Sequence, residues 1–332
     1  VTFLVPREAG GSRLDRFLAG VTHVSRAELQ RWIEAGRVTV NGVVRDASAR
    51  VNEGDRVEAQ PLERAASEAL PDADVVFEEL YADDDVVVIL KPAGLVVHPA
   101  AGHEGGTLVN GLLARGYFKR EDLLDDGRDE HDRPGIVHRL DKGTSGVMVV
   151  ARTPLAREKL KAQFQAHTIE RRYEALVVGE AREATHATLH GRHPHDRMRF
   201  TSKVKTGKRA VTHVHVLSRL NGATHVACTL ETGRTHQIRM HLAESGTPVL
   251  GDPLYGKPPK DAQVRAVAEQ LGHQALHARV LGFAHPASGR LLRFEADVPA
   301  DFAGALRSLL GPIALSAPST PRESGPPRRP AH

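Results

Sequence analysis

The sequence predicts an α+β fold in two parts, a small N-terminal module and a larger body of strands and helices. Three observations carry this. A chain of 332 residues exceeds one average domain and has material for two cores. Apolar runs with helical spacing alternate with β-branched runs along the whole length, with no internal repeat. The stretch from Pro61 to Asp74 is bracketed by prolines and has no strand pattern, as a linker would. The module is therefore assigned to 12–60, the linker to 61–74 and the body to 75–311. A Pro-rich tail over 312–332 is expected to be disordered.

In the module, Leu14, Phe17 and Leu18 give a short first helix one apolar face. Ser25 opens a second helix, with Glu28 as its capping-box partner and Gly36 as its stop. Asn41-Gly42 between alternating valines signals a hairpin, and Gly54-Asp55 leads into a strand from Arg56 to Ala59. Arg13, Arg16, Arg26, Arg31 and Arg37 fall on or beside the two helices. From Arg13-Leu-Asp-Arg through Ser25-Arg-Ala-Glu and Gly54-Asp-Arg-Val, the stretch resembles the S4 RNA-binding domain. That resemblance implies RNA contacts by Arg26, Arg31 and Arg37. With 8 basic and 7 acidic residues, a basic surface on the module must be one-sided. Arginines laid over a helix surface for packing are the plainer reading of each one.

In the body, Val86 to Leu90 reads as a buried strand closed by Pro92 and Gly94. Lys91 either touches a substrate or caps that strand. Thr107 is an N-cap for a helix reaching Arg115, and the acidic stretch 118–133 reads as a surface loop. Gly135 to Arg152 reads as strand, polar loop, strand, with Ile136-Val137 and Val147 to Val150 as the strands. The loop sets one carboxylate, Asp141, among His138, Arg139 and Lys142. Nearby cations keep a carboxylate ionised, the state a nucleophile or base needs. An Asx turn at Asp141-Lys142-Gly143 is the plainer alternative.

Thr153-Pro154 begins a helix. Residues 170–179 form a strand ended by glycine, with Tyr173, Ala175 and Val177 on one face. Strand-like alternation continues over 185–191, 210–218 and 223–231, and the basic, loop-like connection 192–209 reads as a phosphate-contact region, with a disordered solvated loop as the plainer alternative. Thr235 is an N-cap for a helix over 236–245, with Gly246 as its stop. On that helix Ile238 and Leu242 face the core. Arg239, about 100° round, stands where it can present a fork to a carboxylate. Two more strands over 276–297 and a terminal helix over 301–310 complete the body.

One cysteine, Cys228, excludes an internal disulfide framework and points to the cytoplasm. No basic flank followed by an apolar run marks a signal peptide, and no run of about 18 apolar residues marks a membrane span. The net charge of +4 is unevenly spread: 65–135 holds 16 acidic and 6 basic residues, 136–294 holds 25 basic and 12 acidic. A basic excess in the half that contains Asp141 favours a polyanionic partner, nucleic acid first.

The loop around Asp141 (His-Arg-Leu-Asp-Lys-Gly-Thr-Ser-Gly), Arg171-Arg-Tyr-Glu-Ala and Thr232-Gly-Arg-Thr-His-Gln-Ile-Arg together resemble the RluA-type family of RNA pseudouridine synthases. Lys91-Pro-Ala-Gly and Gly251-Asp-Pro-Leu-Tyr-Gly match the same family, and with the S4-like module the resemblance spans about residues 12 to 300. It implies a mixed, mainly antiparallel catalytic sheet flanked by helices. It implies Asp141 as catalytic carboxylate, Arg239 as the partner that orients it, and Tyr173 stacked on the uracil as a base. Ile238 would pack near the target base, and Arg139, His138 and Arg234 would contact RNA. No metal or cofactor is implied. The implied partner is RNA, most specifically large-subunit ribosomal RNA or a ribosome-assembly intermediate, met by a monomer away from any membrane.

Three alternatives stand beside this. A non-catalytic RNA-binding or assembly factor explains the module and the basic half, but needs no Asp, Tyr and Arg at these motif positions. A synthase of the same family acting on tRNA would carry the same motifs. A metal-dependent hydrolase is suggested by 19 histidines. Yet His236 and His241 are five apart rather than four, and His213 and His215 lack a carboxylate or cysteine motif.

Overall fold

The computed structural model describes residues 1–22, 24, 26–61, 69–98, 105–117 and 135–310. Two compact units emerge, Val1–Ile169 with Leu281–Phe294, and Glu170–Val280 with Glu295–His332.

The first unit opens with β1 (Thr2–Leu4), α1 (Leu14–Val21), α2 (Arg26–Glu34), β2 (Val38–Val40), β3 (Val43–Val44) and β4 (Arg56–Ala59). The strands form an antiparallel sheet in the order β1-β4-β2-β3. The apolar face expected of α1 is buried: Leu14, Phe17 and Leu18 join Leu29, Trp32 and Ile33 of α2 and Val38 and Val57 of the sheet in one core. The hairpin falls at Asn41-Gly42, whose φ angles of 52° and 78° are the pair a type I′ turn demands. β1 was not anticipated; three residues with one half-buried side chain are too short to show alternation. The Ser25–Glu28 capping box, the 118–133 loop and the tail lie outside the described residues or side chains.

The same unit continues with β5 (Glu78–Ala82), β6 (Val86–Lys91), α3 (Leu108–Ala114), β7 (Ser145–Ala151) and α4 (Pro154–Gln165). β5, β6 and β7 pair antiparallel in that order. Every residue of β7 is buried, which is why it reads as an unbroken apolar run rather than an alternating one. At the start of α3 the Asn110 side chain accepts from the Thr107 amide, 2.9 Å. α4 starts as expected, with Thr153 Oγ1 accepting from the Ala156 amide and Pro154 at the first helical position. The strand expected at Ile136-Val137 is a single bridge, Ile136 to Val150, because the chain leaves β7 at once to build the polar loop.

The second unit contains β8 (Glu170–Val178), β9 (Ala184–Arg192), β10 (Phe200–Thr201), β11 (Lys208–Leu220), β12 (Ala223–Leu230), α5 (Gln237–Glu244) and α6 (Ala262–Leu271). Its strands run β10-β9-β11-β12-β8, antiparallel throughout. β13 (Leu276–Ala284) begins in this unit and ends in the first, followed by β14 (Leu291–Glu295) and α7 (Ala300–Leu310). Ile238 and Leu242 of α5, Val264 and Leu271 of α6 and Phe302 and Leu309 of α7 share one core with β8 and β12. Each fully buried aliphatic side chain there contributes about 1.5–3 kcal/mol. Among the described residues, no helix is long and apolar enough to cross a membrane.

Thr235 is not the cap of α5. His236 takes that place in a left-handed conformation (φ 57°) without a side-chain cap, because Gln237 bonds back to the preceding turn. α6 was missed, although Asp261 caps it through the Val264 amide and Val264, Val267 and Leu271 supply its buried face.

Candidate active site

In the first unit, Asp141 is half-buried in a loop fixed from several directions. Its carbonyl accepts from the Thr144 amide, 3.0 Å, and the Lys142 carbonyl accepts from the Gly94 amide, 2.8 Å. Beneath the loop lies Lys91, with no exposed surface. Its Nζ donates to the carbonyls of Pro92 (2.8 Å), Leu95 (2.8 Å) and Lys142 (3.2 Å), three acceptors for the three N–H groups of an ammonium. Burial pulls its pKa down to about 7, while the charge of Asp141 pulls it back up. Of the two roles open for Lys91, the structure shows a brace that ties the end of β6 to the residue after Asp141.

Gly135 anchors the loop's entry. Its φ is +65°, and a Cβ there would collide with the Ala151 carbonyl. His138 serves the same end: its Nε2 accepts from the Val149 amide, 3.1 Å, and its ring stacks on Phe164 at 4.6 Å. One ring nitrogen and one ring face are thus engaged within the protein, where an RNA contact was expected. Arg139 is exposed beside it.

In the second unit, Tyr173 is half-buried on β8, opposite Cys228 of β12. Two residues earlier and on the same strand face, Arg171 is 6% exposed. Its Nη2 donates to the Glu231 carbonyl, 2.8 Å, and its charge interacts with Tyr173. Cys228 is no nucleophile, since burial pushes its thiol up to about 12.

Arg239 is buried, and its fork is met by a carboxylate that sequence reasoning had not assigned. Nε and Nη2 donate to the two oxygens of Asp252, at 2.6 and 2.9 Å. Asp252 Oδ1 also accepts from the amides of Leu254 and Tyr255. Burial alone would raise the Asp252 pKa, but the Arg239 bonds and charge and the two amides outweigh it and hold the carboxyl below its usual range. The Tyr255 ring lies against the Arg239 guanidinium, 5.3 Å from its centre. Asp252 and Tyr255 belong to the Gly251-Asp-Pro-Leu-Tyr-Gly motif, so their place in a matching motif was the available signal.

Gln237 was also missed. Its Oε1 accepts from Thr232 Oγ1 (2.7 Å) and the Arg234 amide (3.0 Å), and its Nε2 donates to the Val211 carbonyl and Thr212 Oγ1, both 3.0 Å. It binds the turn before α5 to β11. Ile238 is 4% exposed and packed in the core, so it supports α5 rather than offering a surface. Arg234 donates through Nε to the Arg209 carbonyl, 3.2 Å. In the N-terminal module Arg31 and Arg37 are exposed, Arg37 lying 3.4 Å from Gln60 Oε1; Arg26 begins α2, and its side chain is outside the description.

Two histidine-bearing clusters bear on metal and pH. Asp83, Asp85 and His285 lie close enough to hold a cation. However, Asp83 already accepts from Tyr81 Oη (2.6 Å) and two amides, and His285 Nδ1 accepts from the Ser288 amide, which leaves Nε2–H to donate to Asp83 at 2.9 Å. Asp83 and His285 are thus engaged with each other and with their own turns. His241 is buried with both ring nitrogens 2.9 Å from hydroxyls, those of Thr212 and Thr188. Burial, then the neighbouring His186, lower its pKa to about 4. The folded value lies below the unfolded value of about 6.5, so the unfolded chain binds the extra proton between these pH values. The His241 contribution is complete above pH 6.5 and falls away toward pH 4, by about 3 kcal/mol. Urea unfolding from pH 7 to 4 is expected to show a steeper acid loss in wild type than in His241→Gln; parallel curves would refute the assignment.

A catalytic body of this architecture behind an S4 module defines a class of RNA-modifying enzymes. The RNA pseudouridylate synthase family model matches residues 85–244 and the S4 domain model residues 12–57. The chain belongs to this family and is an RNA pseudouridine synthase. It is 43% identical over 305 residues to Ribosomal large subunit pseudouridine synthase D of Pseudomonas aeruginosa, covering 90% of this chain and 92% of that one. It is 43% identical to Uncharacterized RNA pseudouridine synthase YlyB of Bacillus subtilis, covering 91% of this chain and 95% of the other. Among solved structures, Human RNA Pseudouridylate Synthase Domain Containing 4 superposes with a TM-score of 0.53 at 26% identity, over 70% of this chain and 92% of that one.

Proposed function

We propose that this protein isomerises a uridine of large-subunit ribosomal RNA to pseudouridine, with Asp141 as the catalytic carboxylate. The observation that carries the substrate is the 43% identity, across both modules, to a relative named for the large ribosomal subunit. In the reaction the N1–C1′ bond breaks, the uracil turns and C1′ joins C5. The C5 proton leaves, N1 gains a proton, and no electrons are exchanged with a cofactor.

Asp141 attacks C1′ or C6, or removes the C2′ proton; each role needs the ionised carboxylate. Arg239 takes the orienting role that the matching motif implies, with its Nε and Nη2 held by Asp252. Tyr173 stacks on the uracil and takes the C5 proton, with the buried Arg171 charge close by. A stacked uridine must first leave its helix, and Arg139, exposed beside Asp141, meets the flanking backbone. Arg26, Arg31 and Arg37 of the S4 module bind RNA structure away from the target.

Tritium release from 5-³H-uridine-labelled large-subunit ribosomal RNA tests this reading. Turnover is expected in the presence of chelator, with carbodiimide mapping showing one or a few pseudouridines lost from that RNA in a deletion strain. Loss confined to tRNA would overturn the substrate, and no release from any RNA would overturn the activity.

A further inference from the structure

The second unit has a cavity of about 390 Å³ that contains none of Asp141, Tyr173 and Arg239. His190, Phe200, Gly207, Lys208, Gly233 and Arg234 are among the residues that line it. His190 and Phe200 stack on each other at 4.7 Å and 18°, and the Arg192 guanidinium lies over the Phe200 ring, 4.9 Å from its centre. His190 Nε2 lies 2.9 Å from the Thr235 carbonyl, which makes it the donor there.

The charge of the cavity is positive. Lys208 is exposed and, among the described residues, has no ion-pair or hydrogen-bond partner. The carboxylates nearby are engaged elsewhere: Glu231 by Arg209 (2.9 Å) and His213 (3.0 Å), and Glu244 by Thr201 and Ser202. The lining is also held in place. The Phe200 amide donates to Tyr255 Oη at 2.8 Å, and Thr201 Oγ1 donates to Glu244 at 2.5 Å. At the other side, the guanidinium of Arg171 occupies the space that a Cβ on Gly233 would need. The cavity therefore backs onto the residue two before Tyr173.

Two cations and a bare backbone rim, in a space of this size, suit one nucleotide with its phosphate between the cations. We propose that this cavity is a second RNA subsite, which takes one unpaired nucleotide flanking the target uridine, its phosphate held by Lys208 and Arg234. The subsite rests on the reading of the protein as an RNA-modifying enzyme and adds where the neighbouring strand is held. A free nucleotide has the same chemistry but lacks the rest of the RNA, so millimolar UMP is expected not to compete.

The test uses the full chain and a synthetic RNA hairpin carrying the mapped uridine, with binding read by filter retention between 50 and 300 mM salt. Lys208→Glu is expected to weaken binding about tenfold or more and to reduce the salt slope by about one, with Lys208→Arg close to wild type. The single-turnover rate at saturating RNA should fall by less than the affinity does. In a scan of methylphosphonate substitutions, one position beside the target should weaken wild type but leave Lys208→Glu unaffected. Unchanged affinity and slope in Lys208→Glu, competition by UMP at its full effect on binding, or a loss that no single neutral phosphate reproduces overturns the subsite. Wild type that retains the hairpin but releases no tritium overturns the catalytic reading while the binding comparison still decides the subsite.

Discussion

Asp141→Asn is expected to lower tritium release by about 10⁴-fold or more, the scale seen when a group central to covalent or base catalysis is removed. The substitution keeps the shape of the side chain and takes away the electron pair of an ionised carboxylate. Folding should be spared, because the loop is held by backbone and Lys91 bonds: Thr144 amide to the Asp141 carbonyl, Gly94 amide and Lys91 Nζ to the Lys142 carbonyl. RNA affinity should change by only a few-fold. Single-turnover assays with RNA in excess separate these quantities, and a variant that retained even a hundredth of the rate would refute a chemical role for Asp141.

The second large effect concerns Asp252, which touches no proposed substrate atom. Asp252→Ala leaves the buried Arg239 without its bidentate acceptor and strips the acceptor from the Leu254 and Tyr255 amides. Breaking a buried pair from one side costs about 3–5 kcal/mol, because a desolvated charge remains. The variant should unfold at markedly lower urea and turn over poorly. Replacing both partners distinguishes scaffold from chemistry: Arg239→Met with Asp252→Leu should recover the part of the stability lost to the unpaired charge, though not the part lost by the Leu254 and Tyr255 amides, and should not recover turnover. Restored turnover in the double variant would mean that Arg239 serves packing alone.

The parts of the molecule legible in the sequence are those set by local rules. Thr153-Pro154 begins α4, Asn41-Gly42 turns the hairpin, and Gly179 and Gly246 follow β8 and α5 with φ angles of 83° and 86°. Each needs only its own neighbours in the chain. β5 was not legible, because three of its five residues are charged or small and its place is decided by pairing with β6. Candidate site residues divide the same way. Asp141, Tyr173 and Arg239 were found through motif context. The brace at Lys91, the carboxylate at Asp252 and the clasp at Gln237 depend on partners as far as 51, 13 and 26 positions away. A lysine after five apolar residues and an aspartate between Gly and Pro announce nothing about what they meet.

The chain order of the two units has a consequence for synthesis. The Asp141 unit is closed by residues 281–294, and that segment is more than a surface strand. Gln163 exchanges hydrogen bonds with Ala284, Lys159 donates to the Pro286 carbonyl, and His285 bonds Asp83. During translation the 111 residues from 170 to 280 emerge before these partners exist. At roughly 5–20 residues per second, α4 waits on the order of ten seconds for them. The nascent chain thus exposes Asp141 early but completes its support late, after the segments bearing Tyr173 and Arg239 have been made. A chain that ends before residue 281 lacks the hydrogen bonds by which Ala284, His285 and Pro286 hold α4 and Asp83.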